Sequence, residues 1–526
     1  MHLRGSGCLL ESAHRQDARS SAMTAAQERP ARVVDLHTHL FNARHLPLES
    51  IIAGAMGAWS SPLARPLAKL LYFLTDTGGE QAEFSRLQQL HPQRLLHGHG
   101  GHEQIDYIAS ISNVASHELL AGTAAAPLDA DGLAALAVDS PEAQAIRGSE
   151  LMAILRELDQ AIPATGGPEP GAWPPVDSLV QEMMAPAGLV DWARRTVKRA
   201  LERFMAMVVR DPTSTIGNYA EFFFTLLGSE ETIFRRLQAA YGSSLPPMEY
   251  AHLMMDMELA YPGGPLANYH LPQRTRNMLE LQARFPALHG FFAFDPRRND
   301  AKAGGWRQLL TSALEAGFVG FKFYPAMGYR PAGDAVHARR IDEFYDFCLE
   351  HDAPIFAHCT PVGFQTPRKE GAFANPEYWA EVLGSRKELR LCLGHAGGQR
   401  APSERPVSAG WDAEEVEWKK GNYAWQVVDL CVRYPNVYCE IGHLEGLLDG
   451  DIAAFERNLR RARDTQVEYG FMSKIAYGSD WHMQAMVNSA RPYLDLFLQL
   501  FEKEEWRDYR EGFFWRNAYA YLRLPR

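Results

Sequence analysis

Short apolar runs, each closed by a polar or chemically active residue, recur along the chain. The first is Val33-Val34-Asp35-Leu36-His37-Thr38-His39. After a long gap come seven more, over 250–256, 289–294, 317–323, 354–358, 389–395, 437–441 and 474–480. Runs of this length bounded by Gly, Pro and Asp read as buried parallel strands. Between them apolar residues fall at helical spacing, as in Trp306-Arg307-Gln308-Leu309-Leu310 and Asp342-Glu343-Phe344-Tyr345-Asp346-Phe347. From the second run onward the strands recur at intervals of roughly 25 to 45 residues, as β-α units do. Eight such units predict an α/β chain folded as a (β/α)8 TIM barrel.

The stretch 43–248 breaks the rhythm, being far longer than a βα connection needs. Helix formers dominate 149–162, 178–209 and 220–241, and 163–171 is a Gly/Pro-rich turn segment. A large, mostly helical insertion between strands 1 and 2 is therefore expected. It departs from a strand C-terminus, so a cap over the barrel mouth is favoured over an outlying decoration. Residues 1–30 are polar, lack the apolar core of a signal peptide and read as disordered. The barrel domain is expected to span 31–526.

Composition narrows the class. The chain has 526 residues, 46% of them hydrophobic, and a formal charge of -11. That content fills a globular core, and the charge gives no basic footprint for nucleic acid. No run reaches the length of a membrane span. The six cysteines show no Cys-x-x-Cys spacing, and four lie in or just before expected core strands. They read as reduced, buried thiols of a cytoplasmic protein. Cys359 follows His358, and packing is preferred to nucleophilic chemistry there.

In a closed parallel barrel all strand C-termini share one face, where active sites collect. Along the chain these ends carry His37 and His39, Lys322, His358, His395 and Asp480. A lone strand-end histidine is usually a hydrogen-bonded core or surface residue. Four histidines and an aspartate, all at strand ends, point instead to a metal centre. Imidazole and carboxylate donors suit one or two Zn²⁺ ions, and also Fe²⁺, Mn²⁺ or Co²⁺. Protonated Lys322 has no lone pair and cannot ligate. His97, His99 and His102 lie in a Gly-rich stretch; a surface loop is the default, with a mobile lid or a second metal site as alternatives.

The ordered set His-x-His, Lys, His, His, Asp resembles the amidohydrolase superfamily. Phe294-Asp295-Pro296-Arg297, Gly394-His395-Ala396-Gly397-Gly398, Gly478-Ser479-Asp480-Trp481 and Asn517-Ala518 are similar to its amidohydrolase-related branch. The resemblance implies metal ligands at His37, His39, Lys322, His358, His395 and Asp480. Lys322 would serve as a carbamate bridging two ions, or as a plain ammonium beside an anion. Asp480 would also be the catalytic proton shuttle. Tyr324, Arg330, Trp481 and His482 become candidates for substrate binding, with Tyr329, Thr360, Glu440 and His443 nearby. The expected activity is metal-dependent hydrolysis of an amide, lactam or ester bond in a small molecule. A metal-dependent decarboxylase of an aromatic or unsaturated carboxylate is the alternative enzyme, and a noncatalytic binding protein the alternative class. A homo-oligomer is left open.

Overall fold

A computed structural model describes residues 30–55, 62–75, 141–161, 191–201, 225–243, 245–261, 271–299, 304–400, 409–448, 452–465, 467–481, 483 and 490–525. Eight parallel strands stand in chain order: β1 Val33–Thr38, β2 Met248–Leu253, β3 Leu288–Phe294, β4 Gly320–Phe323, β5 Ile355–His358, β6 Leu391–Gly394, β7 Val437–Glu440 and β8 Ile475–Ala476. Backbone bonds from Leu36 N to Tyr477 O (3.1 Å) and from Asp480 N to His37 O (2.8 Å) bring β8 back to β1. All eight expected strands are present, and the architecture is a TIM-like barrel.

Helices cover the barrel where the apolar spacing places them, for example Trp306–Ala316 and Ala338–Glu350. Their ends follow ordinary capping rules. The Asn422 side chain accepts from Ala424 N and Trp425 N at the start of Tyr423–Arg433. Gly317, at φ 114, takes the left-handed turn after Trp306–Ala316. The helix Glu230–Tyr241, entered through a Ser229 cap, leads into β2 and packs on the helices Leu271–Arg284 and Ala490–Leu500. It fills the place of the first barrel helix. The insertion therefore lies between β1 and this helix, and its described part is helical over Leu48–Ala55, Ala64–Leu74, Pro141–Gly148, Glu150–Ala161 and 191–201. Of the expected N-terminal segment 1–30, residues 1–29 fall outside the described residues, as do the turn segment 163–171 and His97, His99 and His102. Among the described residues, no helix is long and apolar enough to cross a membrane.

The barrel interior is filled by Val34, Leu36, Ala251, Leu253, Phe291 and Phe356. The C-terminal helix Asn517–Leu522 closes the lower end, with Tyr521 stacked on Phe291 at 6.1 Å. Asn517 donates to the carbonyls of Met472 (2.9 Å) and Ile475 (2.7 Å), so it caps the foot of β8. One irregularity matters for the site. Asp35 lies opposite Tyr250, yet Thr38 lies opposite His252, so β1 carries one extra residue there. Below this bulge Val34 and Leu36 face inward. Above it His37 faces inward as well, its ring 4.9 Å from that of Phe356. Such bulges re-aim side chains beside active sites.

Candidate metal centre

At the C-terminal mouth of the barrel, His37, His395 and Asp480 place ligand atoms within 4.8 Å of one another, all buried. This His/His/Asp cluster is geometrically suited to hold a catalytic metal ion. His39 joins it directly. Asp480 Oδ1 lies 3.1 Å from His37 Nε2 and 3.2 Å from His39 Nε2. His358 stands on the other side, its Nδ1 3.0 Å from His395 Nε2.

Each imidazole is oriented from behind. His37 Nδ1–H donates to Glu440 Oε1 at 2.7 Å, His39 Nδ1–H to Leu253 O at 2.9 Å and His395 Nδ1–H to Gly442 O at 2.9 Å. His358 is reversed and donates through Nε2–H to Val362 O at 2.9 Å. Carboxylate and carbonyl partners only accept, so these bonds assign the tautomers. The remaining lone pairs, on Nε2 of His37, His39 and His395 and on Nδ1 of His358, point at the centre. His37 Nε2 and His39 Nε2 are only 3.2 Å apart. Facing lone pairs at such distances repel unless a cation lies between them. The donor set therefore fits a divalent metal, with the outer hydrogen bonds that metal-bound imidazoles characteristically make.

Electrostatics agree. Burial, together with Lys322 and the neighbouring rings, pushes His37 well below the usual histidine range. Burial and the adjacent His395 do the same to His358, and burial takes His395 down to about 4. All three are neutral at pH 7 and free to ligate. Burial alone would raise the Asp480 carboxyl, but the imidazoles of His39, His395 and His443 around it hold it below the usual carboxylate range. Burial pushes Glu440 up to about 8. Yet its oxygens face three donors: His37 Nδ1–H, His395 N–H at 2.7 Å and Gly442 N–H at 2.5 Å. Three donated hydrogen bonds favour the ionised form and oppose the effect of burial.

Lys322 is 1% exposed, and its Nζ has no hydrogen-bond partner among the described residues. It lies 4.5 Å from the Phe356 ring centre and 5.4 Å from that of Tyr324. Burial lowers it to about 8, against the opposing pull of Asp480 and Glu440.

The remaining candidates divide. Tyr324 stacks on His358 at 4.2 Å and lines the cavity over the cluster with Met255, Phe364, His443 and Met483. Thr360 lines it too. Arg330 does not reach this cavity; its guanidinium lies 4.6 Å over Phe373 and borders a separate groove with Arg297 and Arg368. Trp481 is buried and does not line the cavity; its carbonyl accepts from His39 N at 2.5 Å, so it helps close the barrel. Tyr329 is held away by donating to Phe294 O at 2.9 Å. His482 lies outside the described residues. Cys359 is fully buried, and its thiol is pushed far up by burial, in keeping with packing. Glu440, expected only as a neighbour of the site, orients His37 and the His395 backbone. Its only sequence signal is a carboxylate ending an otherwise apolar strand.

The family model described as amidohydrolase matches residues 271–524. The match runs from the helix Leu271–Arg284, just before β3, to the C-terminal helix. No curated protein matches the chain. Among solved structures, a probable 2-pyrone-4,6-dicarboxylic acid hydrolase from Acinetobacter baumannii, with citric acid bound, is 12% identical. The alignment covers 56% of this chain and 88% of that one, with a TM-score of 0.35. An amidohydrolase from Burkholderia multivorans with bound zinc is 14% identical over 58% and 92% of the two chains, TM-score 0.36. An uncharacterised TIM-barrel protein from Bordetella bronchiseptica is 16% identical over 56% and 82%, TM-score 0.36. These likenesses are too distant to bear on activity.

Proposed function

We propose that this protein is a metal-dependent hydrolase that cleaves an amide, lactam or ester bond of a small molecule. The observation that carries this reading is the convergence of four imidazole lone pairs and the Asp480 carboxylate at the barrel mouth. His37, His39 and Asp480 would hold one divalent ion, zinc being the natural choice, and His358 and His395 would complete its shell or hold a second. Held there, such an ion would supply Lewis acidity to a water and to the scissile carbonyl. Asp480, ionised and turned toward the cavity, takes the proton of the attacking water and returns it to the leaving nitrogen or oxygen. Tyr324 stays protonated because burial raises it well above its ordinary value. It can therefore donate to a substrate oxygen in the cavity it lines.

Lys322 extends the proposal. A buried amine with no partner and a lowered pKa keeps a neutral fraction, about one in ten at pH 7. That amine can attack carbon dioxide, forming an N–C bond and releasing one proton. The product carbamate would supply the anionic oxygens that a second ion needs. The described part of the insertion is taken as the base of a cap shaping the substrate pocket. The five described cysteines, all buried and unpaired, fit a reducing, cytoplasmic setting.

The test is elemental analysis of the purified protein together with a panel of lactones, amides and esters. One to two equivalents of transition metal, hydrolysis abolished by chelation, and loss of both in His37→Ala are expected. Metal-free protein that still hydrolyses would refute the reading. Carbon dioxide released from aromatic carboxylates, with no hydrolysis, would replace it with the decarboxylase.

A further inference from the structure

Asp35 precedes the His-x-His pair and is fully buried. Four donors converge on its carboxylate. Oδ1 accepts from Ser479 N–H at 2.9 Å and from His37 N–H at 3.3 Å. Oδ2 accepts from Ser479 Oγ at 2.6 Å and Tyr241 OH at 2.7 Å. Tyr241 lies 3.1 Å from the Tyr477 hydroxyl, which anchors it to β8 as well. These partners come from three places: the bulge in β1, the turn after β8 that carries Asp480, and the helix Glu230–Tyr241 that leads into β2.

The arrangement sits where β1 needs outside help. The bulge breaks the β1–β2 register between Asp35 and Thr38, just where His37 must turn inward. On the far side Asp480 has φ 59, a backbone conformation that non-glycine residues avoid unless their surroundings impose it. Asp480 N donates to His37 O at 2.8 Å, so the two ligand-bearing segments are already tied to each other. Asp35 ties both again from behind, through the N–H of His37 and through Ser479, the residue before Asp480.

We propose that Asp35 is a positioning residue for the metal centre: its carboxylate, held by Ser479 and Tyr241, fixes the backbone from which His37 and Asp480 present their ligand atoms. This rests on the reading of that centre as a metal site. It also gives the helix Glu230–Tyr241 a role in metal affinity, through Tyr241, besides covering the barrel. Outer groups that orient ligands typically account for about 10–100-fold in metal affinity.

The experiment measures zinc affinity by chelator competition, and the visible absorption of the Co²⁺-substituted protein, for the full chain and its variants. Asp35→Asn keeps the shape but turns an amide N–H₂ toward donors. It should weaken zinc binding by at least about tenfold and shift the cobalt bands. Tyr241→Phe and Ser479→Ala each remove one donor and should weaken binding by a smaller factor in the same direction. His37→Ala runs beside them. Wild type that binds zinc while His37→Ala does not upholds the metal reading, and the Asp35 variant then decides this inference alone. Wild type that binds no zinc ends both. If Asp35→Asn fails to fold, Tyr241→Phe decides. A folded Tyr241→Phe protein with lowered melting temperature but unchanged zinc affinity and cobalt spectrum would reduce the network to a structural one and overturn the proposal.

Discussion

Replacing Glu440 by glutamine isolates how far the outer hydrogen bonds govern the centre. Glutamine has nearly the same shape, so packing is preserved. The carboxylate it replaces accepts from His37 Nδ1–H and His395 N–H on one oxygen and from Gly442 N–H on the other. An amide can accept on one atom only. With its oxygen toward His37 and His395, its N–H₂ faces Gly442 N–H, and one buried donor loses its acceptor at about 1–3 kcal/mol. The flipped orientation strands two donors and is worse. The His37 bond also loses its charge assistance, which roughly halves its strength. The imidazole becomes a poorer ligand and is less firmly turned toward the centre. Zinc affinity should fall about 10–100-fold, equivalent to roughly 1.4–2.7 kcal/mol. Chelator competition near neutral pH reads the affinity, and circular dichroism checks the fold. Glutamine also mimics a protonated carboxyl, the form burial favours for Glu440 in the absence of metal. Unchanged affinity in a folded variant would therefore refute the reasoning: it would mean Glu440 is neutral in the working site and does not set the His37 tautomer.

Asp480→Asn should bind metal less tightly and lose about 10²–10⁴-fold in turnover, read from initial rates, since it removes the base; near-normal rates would transfer that role to another cavity residue. Gly478→Ala has no room, because a Cβ there would stand 2.1 Å from Glu440 Oε2 and 3.0 Å from His37 Cβ; a loss of about 1–3 kcal/mol in denaturant unfolding, with reduced metal content, is expected. His395 is lowered to about 4 when folded and titrates near 6.5 when unfolded. The unfolded chain thus binds more protons below 6.5, and stability present above that pH is lost as pH falls toward 4, by roughly 3 kcal/mol from this residue. Urea unfolding of metal-free protein at pH 7.5 and 5 checks the sign, and a flat profile would contradict it. Lys322→Ala should lose one metal equivalent if the carbamate forms, and bicarbonate should speed reconstitution of the wild type only; equal metal content in both would leave the lysine as an ammonium.

The parts of this molecule that could be read from the sequence are those set by local rules. A buried parallel strand is a short apolar run because both its faces are covered. That is why β1 to β8 stand where the runs do, to within a few residues. Strand C-termini share one face by topology alone, so His37, His39, His358, His395 and Asp480 could be brought together before any contact was known. What lay beyond reach depends on partners distant in the chain or on irregular backbone. Glu440 sits 403 positions from His37, and nothing in Val437-Tyr438-Cys439-Glu440 says which side chains meet it. Arg330 follows a ligand-series strand, but the 3-10 turn Pro325–Met327 carries it over Phe373 rather than into the cavity.

The bulge in β1 makes the same distinction within a single motif. On a regular strand the alternation that puts Val34 and Leu36 in the barrel core would send His37 and His39 outward, among the helices. The His-x-His pair works only because one extra residue between Asp35 and Thr38 reverses the alternation. Val33 to His39 thus contains two inward-facing sets of opposite parity, a pattern that period-two reasoning reads as one strand. The residue that reconciles them is the one charged side chain within the apolar start of the run. By hydrophobicity alone Asp35 is only a break in the run. A carboxylate at that position, two residues before His37, is better read as the acceptor for backbone that cannot stay in the ladder.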